Sequence, residues 1–148
     1  MHRRHAMLKF KDVGAAIPAQ DVVRARQFYE QKLGFKPTEV QPDGSARYQV
    51  GSAMFLVFKS MGKASGDHTQ MGLEVEDANS AVSELKKAGV MVEEYDNPDF
   101  KSKGGVVEMP DGSKGAWFKD SEGNLISIIQ RAPVTAGSTT RGGATTSR

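Results

Sequence analysis

The sequence predicts an α+β fold: two βαβββ modules forming one curved mixed sheet with helices on its convex face. Three observations predict it. A strand, an Asp, an amphipathic helix and a Gly follow one another in that order twice along the chain. Each copy then continues into an extended segment, and each half closes on a hairpin. Neither unit alone can bury both faces of its sheet, so the two are expected to pair.

The first copy opens on the apolar stretch Val13 to Ala19. Asp21 stands where a helix N-cap belongs, and Val22, Ala25, Phe28, Tyr29 and Leu33 follow at helical spacing. Gly34 closes the helix as the residue after its C-cap. The second copy repeats the plan with alternating Met71, Leu73 and Val75 and with Asp77 as cap. Its helical stripe is Ala81, Val82, Leu85 and Ala88, and Gly89 is the stop. Extended segments follow each Gly, Phe35 to Val40 and Val90 to Tyr95. The first hairpin runs from Ala46 to Val50, turns at Gly51-Ser52, and returns through Ala53 to Phe58. The second runs from Gly115 to Lys119 and returns through Leu125 to Gln130 after Asp120 to Asn124.

A chain of 148 residues suits a single domain with a sizeable core, expected over residues 9–131 with modules 9–60 and 68–131. Ser60 to Asp67, rich in Gly, Ser and Lys, joins the modules. Residues 1–8 are expected to fray. Residues 132–148 are expected to be disordered, because from Thr135 onward no large apolar residue offsets the ordering entropy. Cysteine is absent, which removes disulfides, thiolate metal sites and Cys nucleophiles and points to the cytoplasm. A formal charge of +2 gives no basis for nucleic-acid binding, and no apolar run approaches the roughly 20 residues that span a bilayer.

At this level of detail the chain resembles a known family. Ile17 to Phe35, with its Asp21, Phe28-Tyr29 and Leu33-Gly34-Phe35, is similar to the opening module of the vicinal oxygen chelate superfamily, the glyoxalase, bleomycin resistance protein and dioxygenase group. Gly72 to Asp77 and Leu85 to Gly89 resemble its second module, and Trp117 to Ile126 resembles its closing hairpin. The resemblance covers the whole body of the chain. It implies the fold and leaves the activity open, because the fold hosts lyases, epimerases, dioxygenases, thiol transferases and drug-sequestering proteins.

The resemblance also implies where enzymes of the group hold a divalent metal. The ligand positions carried over from it are Gly14, Phe55, Gln70 and Ser127. A hard divalent ion needs anionic or imidazole donors, usually three, and this set offers one amide and one hydroxyl. The expectation is therefore no metal and no cofactor. Three histidines bear on it: His2 and His5 lie in the frayed start, and His68, two residues before Gln70, reads as a solvated linker residue.

Strand alternation assigns the remaining faces. Ala15, Ile17 and Ala19 are expected against the helix, leaving Gly14, Ala16 and Pro18 toward a cavity. Tyr48 and Phe55 are expected opposite one another and inward with Val57, and Trp117 opposite Ser127 with Ile129 nearby. Gln70, Gly72 and Glu74 complete the lining. The candidate ligand-binding residues are thus Tyr48, Phe55, Gln70, Glu74, Trp117 and Ser127, an aromatic and apolar cavity with a few polar handles. The same aromatics also suit a packed core or a dimer interface. Asp96 to Gly105, rich in turn residues, is placed as a lid.

The reading that follows is a metal-free protein that binds a small molecule, aromatic or apolar, with no nucleic-acid or membrane partner, and a homodimer as the family implies. Two alternatives stand beside it. One is a glyoxalase-like, metal-dependent lyase or epimerase using His68 and Gln70, or Glu74 as a metal-free general base. The other is a domain whose purpose is dimerisation.

Overall fold

The structure is a computed structural model that describes residues 8–133. The chain divides into two compact units, one up to Ala64 and one from Ser65. Each is an α+β module with one sheet and one helix, as the repeat predicts.

In the first unit β1 (Ala15–Ala19) leads into α1 (Val22–Gln27), and β2 (Pro37–Val40), β3 (Ala46–Val50) and β4 (Ala53–Lys59) follow. The sheet order is β1-β4-β3-β2, with β1 parallel to β4 and the other pairs antiparallel. Asp21 caps α1 by accepting the Arg24 N–H at 3.0 Å. The helix does not stay α-helical through Leu33. From Phe28 to Lys32 it widens into a π-helical turn, with the Leu33 N–H donating to the Phe28 carbonyl at 3.2 Å. Two consecutive aromatics explain it: in an α-helix neighbours point about 100° apart, and the wider turn lets Phe28 and Tyr29 both be buried.

In the second unit β5 (Thr69–Glu74) precedes α2 (Ala78–Lys87), whose Asp77 cap accepts the Ser80 N–H at 3.1 Å. Then come β6 (Asp96–Asn97), β7 (Phe100–Lys103), β8 (Val106–Glu108), β9 (Lys114–Lys119) and β10 (Leu125–Gln130), in the order β5-β10-β9-β8-β7-β6. Gly34 and Gly89 follow the two helices with φ of 82° and 84°, the left-handed values that make a glycine the stop residue. Val90 to Tyr95 is not the strand its sequence suggests. Only Val92 bridges to Phe118 and the Glu93 N–H donates to the Trp117 carbonyl at 2.7 Å, because β8 already pairs with Lys114 and Gly115 at the other end of β9.

Each helix lies on one face of its own sheet. In the first unit that face carries Ile17, Ala19, Ala46, Tyr48, Phe55 and Val57, all buried. In the second it carries Ala116, Phe118, Ile126 and Ile128, with Val82 and Leu85 of α2 buried as well. The cavity-facing placement of Tyr48, Phe55 and Val57 is therefore corrected. All three belong to the core under α1.

Candidate functional site

The register shows why that placement fails. Ile17 pairs with Val57 and Ala15 with Phe55 across β1 and β4, so residues assigned to opposite faces share one. Phe55 in turn pairs with Tyr48. The two rings stack at 4.9 Å and 20°, and both pack on Tyr29 of the helix, at 6.3 and 5.5 Å. The Tyr48 hydroxyl donates to Glu30 at 2.8 Å, beside the Arg26–Glu30 ion pair. Burial first, then the Glu30 acceptor, pushes the Tyr48 hydroxyl pKa up, so it stays protonated. It is a structural hydrogen-bond donor.

The face turned away from the helix in the first unit carries Met54, Leu56 and Phe58 of β4 instead, all half-buried. Aligning Gly51 with Gly123 places Phe55 where Ser127 stands, but the two hairpin loops differ in length. A slip of one residue moves a side chain to the other face. Leu56, level with Ala16 of β1, faces as Ser127 does level with Gly72 of β5. Gly14 is closed as well as bare: a Cβ there would fall on the Met54 thioether sulfur and 2.8 Å from the Met54 carbonyl oxygen.

In the second unit the sequence assignment of Trp117, Ser127, Gly72 and Glu74 agrees with the ladder. Trp117 pairs with Ser127, which pairs with Gly72, and Ile129 pairs with Glu74, all on the face away from α2. Gln70 is the extra residue of a bulge, since Leu125 pairs with Thr69 and Ile126 with Met71. Thr69, unremarked in the sequence, accepts the Trp117 indole N–H at 3.0 Å. That bond spans from β9 to β5, so the indole lies over the intervening β10, and Ser127 beneath is buried. Gly115 makes room for it, because a Cβ there would sit 3.0 Å from Cη2 of the indole.

Two more aromatics gather at Trp117. The Tyr95 ring stands 5.7 Å away and nearly perpendicular, and the Phe100 ring 5.3 Å away at 58°. Burial, then the charge of Glu93, raises the Tyr95 hydroxyl pKa, so this cluster is neutral. The Asp96 to Gly105 stretch contains a hairpin, β6 with β7, that carries Phe100 onto the indole. No sequence periodicity marks Tyr95 and Phe100, because they meet Trp117 through a turn.

Glu74 is exposed and ion-paired with Arg131 at 3.0 Å, with side chains 59% and 78% accessible. A general base at that position has no shielding from water to support it. Glu74, Glu76, Gln130 and Arg131 line an open depression of about 650 Å³ at the ends of β5 and β10, which no motif or periodicity marks. His68 is exposed ahead of β5. His2 and His5, with residues 1–7 and the tail from 134, lie outside the described residues.

The metal positions implied by the resemblance therefore hold a glycine under Met54, a bulged Gln70, a serine under Trp117 and, in place of Phe55, the apolar Leu56. Among the described residues no group of three or more His, Cys, Asp or Glu stands close enough to hold an ion. This donor set does not fit a divalent metal.

The polar residues of the closing hairpin also have structural work. Asp120 accepts the backbone N–H groups of Glu122 and Asn124 at 2.8 and 2.9 Å and the Asn124 side-chain amide at 2.9 Å. The motif Asp120 to Asn124 thus builds a turn. The profile of the Glyoxalase/Bleomycin resistance protein/Dioxygenase superfamily matches residues 13–128, spanning both repeats and this turn. The chain belongs to that superfamily.

Solved structures agree on the fold. A glyoxalase/bleomycin resistance protein/dioxygenase from Nocardioides superposes with a TM-score of 0.65 at 14% identity, covering 93% of this chain and 92% of its own. TnmS3, an antibiotic binding protein from Streptomyces sp. CB03234, gives 0.60 at 20% identity, covering 85% and 99%. A lactoylglutathione lyase from Agrobacterium tumefaciens gives 0.59 at 19%, covering 81% and 92%. At these identities the superfamily members share the fold, which carries no activity with it. No curated protein matches the chain significantly. Among the described residues no helix is long and apolar enough to cross a membrane.

Proposed function

We propose that this superfamily member binds a small planar, aromatic or apolar molecule without a metal, on the face of its second sheet that carries Trp117. The observation that carries this reading is the anchored indole. A side chain held over the sheet by Thr69 at 3.0 Å and by the absence of a Cβ at Gly115 presents a fixed apolar surface. Fixing a rotamer in advance lowers the cost of binding to it. Ser127, Gln70 and Glu74 remain the polar candidates near it, now with Thr69, whereas Tyr48 and Phe55 leave the site. The antibiotic-binding relative supports a ligand rather than a substrate, and the donor set at the implied metal positions counts against a metal-dependent lyase or epimerase. A cytoplasmic homodimer is part of the same proposal, supported by the absence of cysteine and by the habit of the superfamily.

Trp117 is the only tryptophan of the chain, so its emission reports on this face alone. Titration with planar three-ring probes, neutral lumiflavin and cationic proflavine, is expected to quench it saturably at micromolar concentrations. Absence of saturable quenching by either probe would sink the reading.

A further inference from the structure

We propose that Phe100 is an internal competitor for the Trp117 indole, and that it sets the affinity of the site by being displaced when a planar ligand binds. The inference rests on the stacking reading above and adds the residue that governs it.

Three observations lead to it. First, the Trp117 indole has contacts of two kinds. Thr69 and the Gly115 backbone belong to strands of the sheet, whereas Phe100, at 5.3 Å, comes from the turn-rich hairpin at its far edge. Second, that hairpin is lightly held. Among the described residues, strand β7 meets β8 only at Ser102–Val107 and Lys103–Val106, and β6 pairs with β7 alone. Lys86 of α2 donates to the Gly104 carbonyl at 3.1 Å at the base of the hairpin, and the hairpin's bonds to the segment just before it converge on Ser102, which takes the Tyr95 N–H at 2.8 Å and donates its own N–H to the Tyr95 carbonyl at 2.8 Å. Phe100 lies two residues beyond that anchor, next to the exposed Asn97, Pro98 and Asp99. Third, Phe100 and Tyr95 also touch, at 5.0 Å and 70°, so Tyr95 stands as a wall that stays when Phe100 leaves.

A phenyl ring against an indole is chemically what a planar aromatic ligand would be. Ring pairs of this kind are individually weak, and a hairpin tied at one end can release one without unfolding the sheet. A ligand that needs the indole face then binds only the fraction of molecules with Phe100 displaced. Its apparent dissociation constant is the intrinsic one divided by that fraction, so it rises as the fraction falls.

The test compares wild type, Phe100→Ala and Phe100→Leu as full chains, with far-UV circular dichroism confirming that each is folded. Phe100→Leu keeps apolar volume should the alanine variant fail to fold. Without ligand, both variants are expected to show red-shifted Trp117 emission and faster acrylamide quenching. With proflavine or lumiflavin, Phe100→Ala is expected to bind about tenfold more tightly than wild type, and Phe100→Leu to fall between. Equal or weaker binding by a folded variant, where wild type binds and Trp117→Phe does not, would overturn the competitor role while leaving the stacking site in place. Failure of wild type and variants alike to bind either probe would overturn the site itself, and the competitor role with it.

Discussion

At the scale of single residues, a glycine and a threonine decide where the indole lies. Gly115→Ala would bring a Cβ to 3.0 Å from Cη2 and 3.3 Å from Cζ3 of Trp117, tighter than ordinary contact, in a buried position. The ring must give by a few tenths of an ångström, which strains the Thr69 bond. The expected outcome is a red shift of Trp117 emission and a loss of probe binding with the fold retained, read by fluorescence and circular dichroism. Tyr48 behaves differently, because its hydroxyl serves the helix and not the ligand. Tyr48→Phe removes a bond to a carboxylate and is expected to cost about 1–2 kcal/mol at neutral pH in urea unfolding, with probe binding unchanged. The cost depends on pH through Glu30. Desolvation alone would raise that carboxyl, but hydrogen bonds from Arg26 and Tyr48 and the Arg26 charge outweigh it, leaving the pKa lowered. A lowered carboxyl contributes stability that is complete above its unfolded value of about 4.3 and lost as pH falls through the folded one. The difference between Tyr48→Phe and wild type should therefore shrink on acidification below pH 4, which urea titrations at pH 7 and pH 3 measure.

At the scale of elements, caps and stops were legible because their signals are local. Asp21 and Asp77 take the N–H three residues on, as the residue type at that place demands. Asp77→Ala is expected to lower stability by about 1 kcal/mol in chemical denaturation, the usual worth of an N-cap. The hairpins were legible too, since alternation and a Gly-containing turn specify them. Three features were not. The π-helical turn at Phe28 arises because two adjacent aromatics must both reach the core, and the strand-like Val90 to Tyr95 loses its ladder to β8. The bulge at Gln70 depends on how β5 meets β10, strands separated by the whole module. Each is settled by a partner distant in sequence, which no local window contains.

At the scale of the whole molecule, the superfamily was readable from order and spacing, and the donor count at its metal positions was readable from residue type. The expected outcome for untagged protein, dialysed and analysed by elemental mass spectrometry, is less than a tenth of an equivalent of any divalent ion, roughly. A stoichiometric ion would return the lyase reading to the front. Half of the candidate site was also readable: Trp117, Ser127 and Glu74 stand on the face that alternation assigns them. Tyr48 and Phe55 were misplaced because strand period is two, so an error of one residue in matching two hairpins of unequal loop length inverts every assignment that follows. The sequence by itself determined the repeated module, its caps and turns, and the chemical poverty of the metal positions, all properties carried by residue type and short spacing. Only the tertiary structure decided which aromatics lie under the helix and which on the open face. It also decided that Met54 fills the space beside Gly14 and that Phe100 comes to rest on Trp117. Those outcomes depend on register and on contacts between strands and turns far apart in the chain, where packing rather than local preference selects the answer.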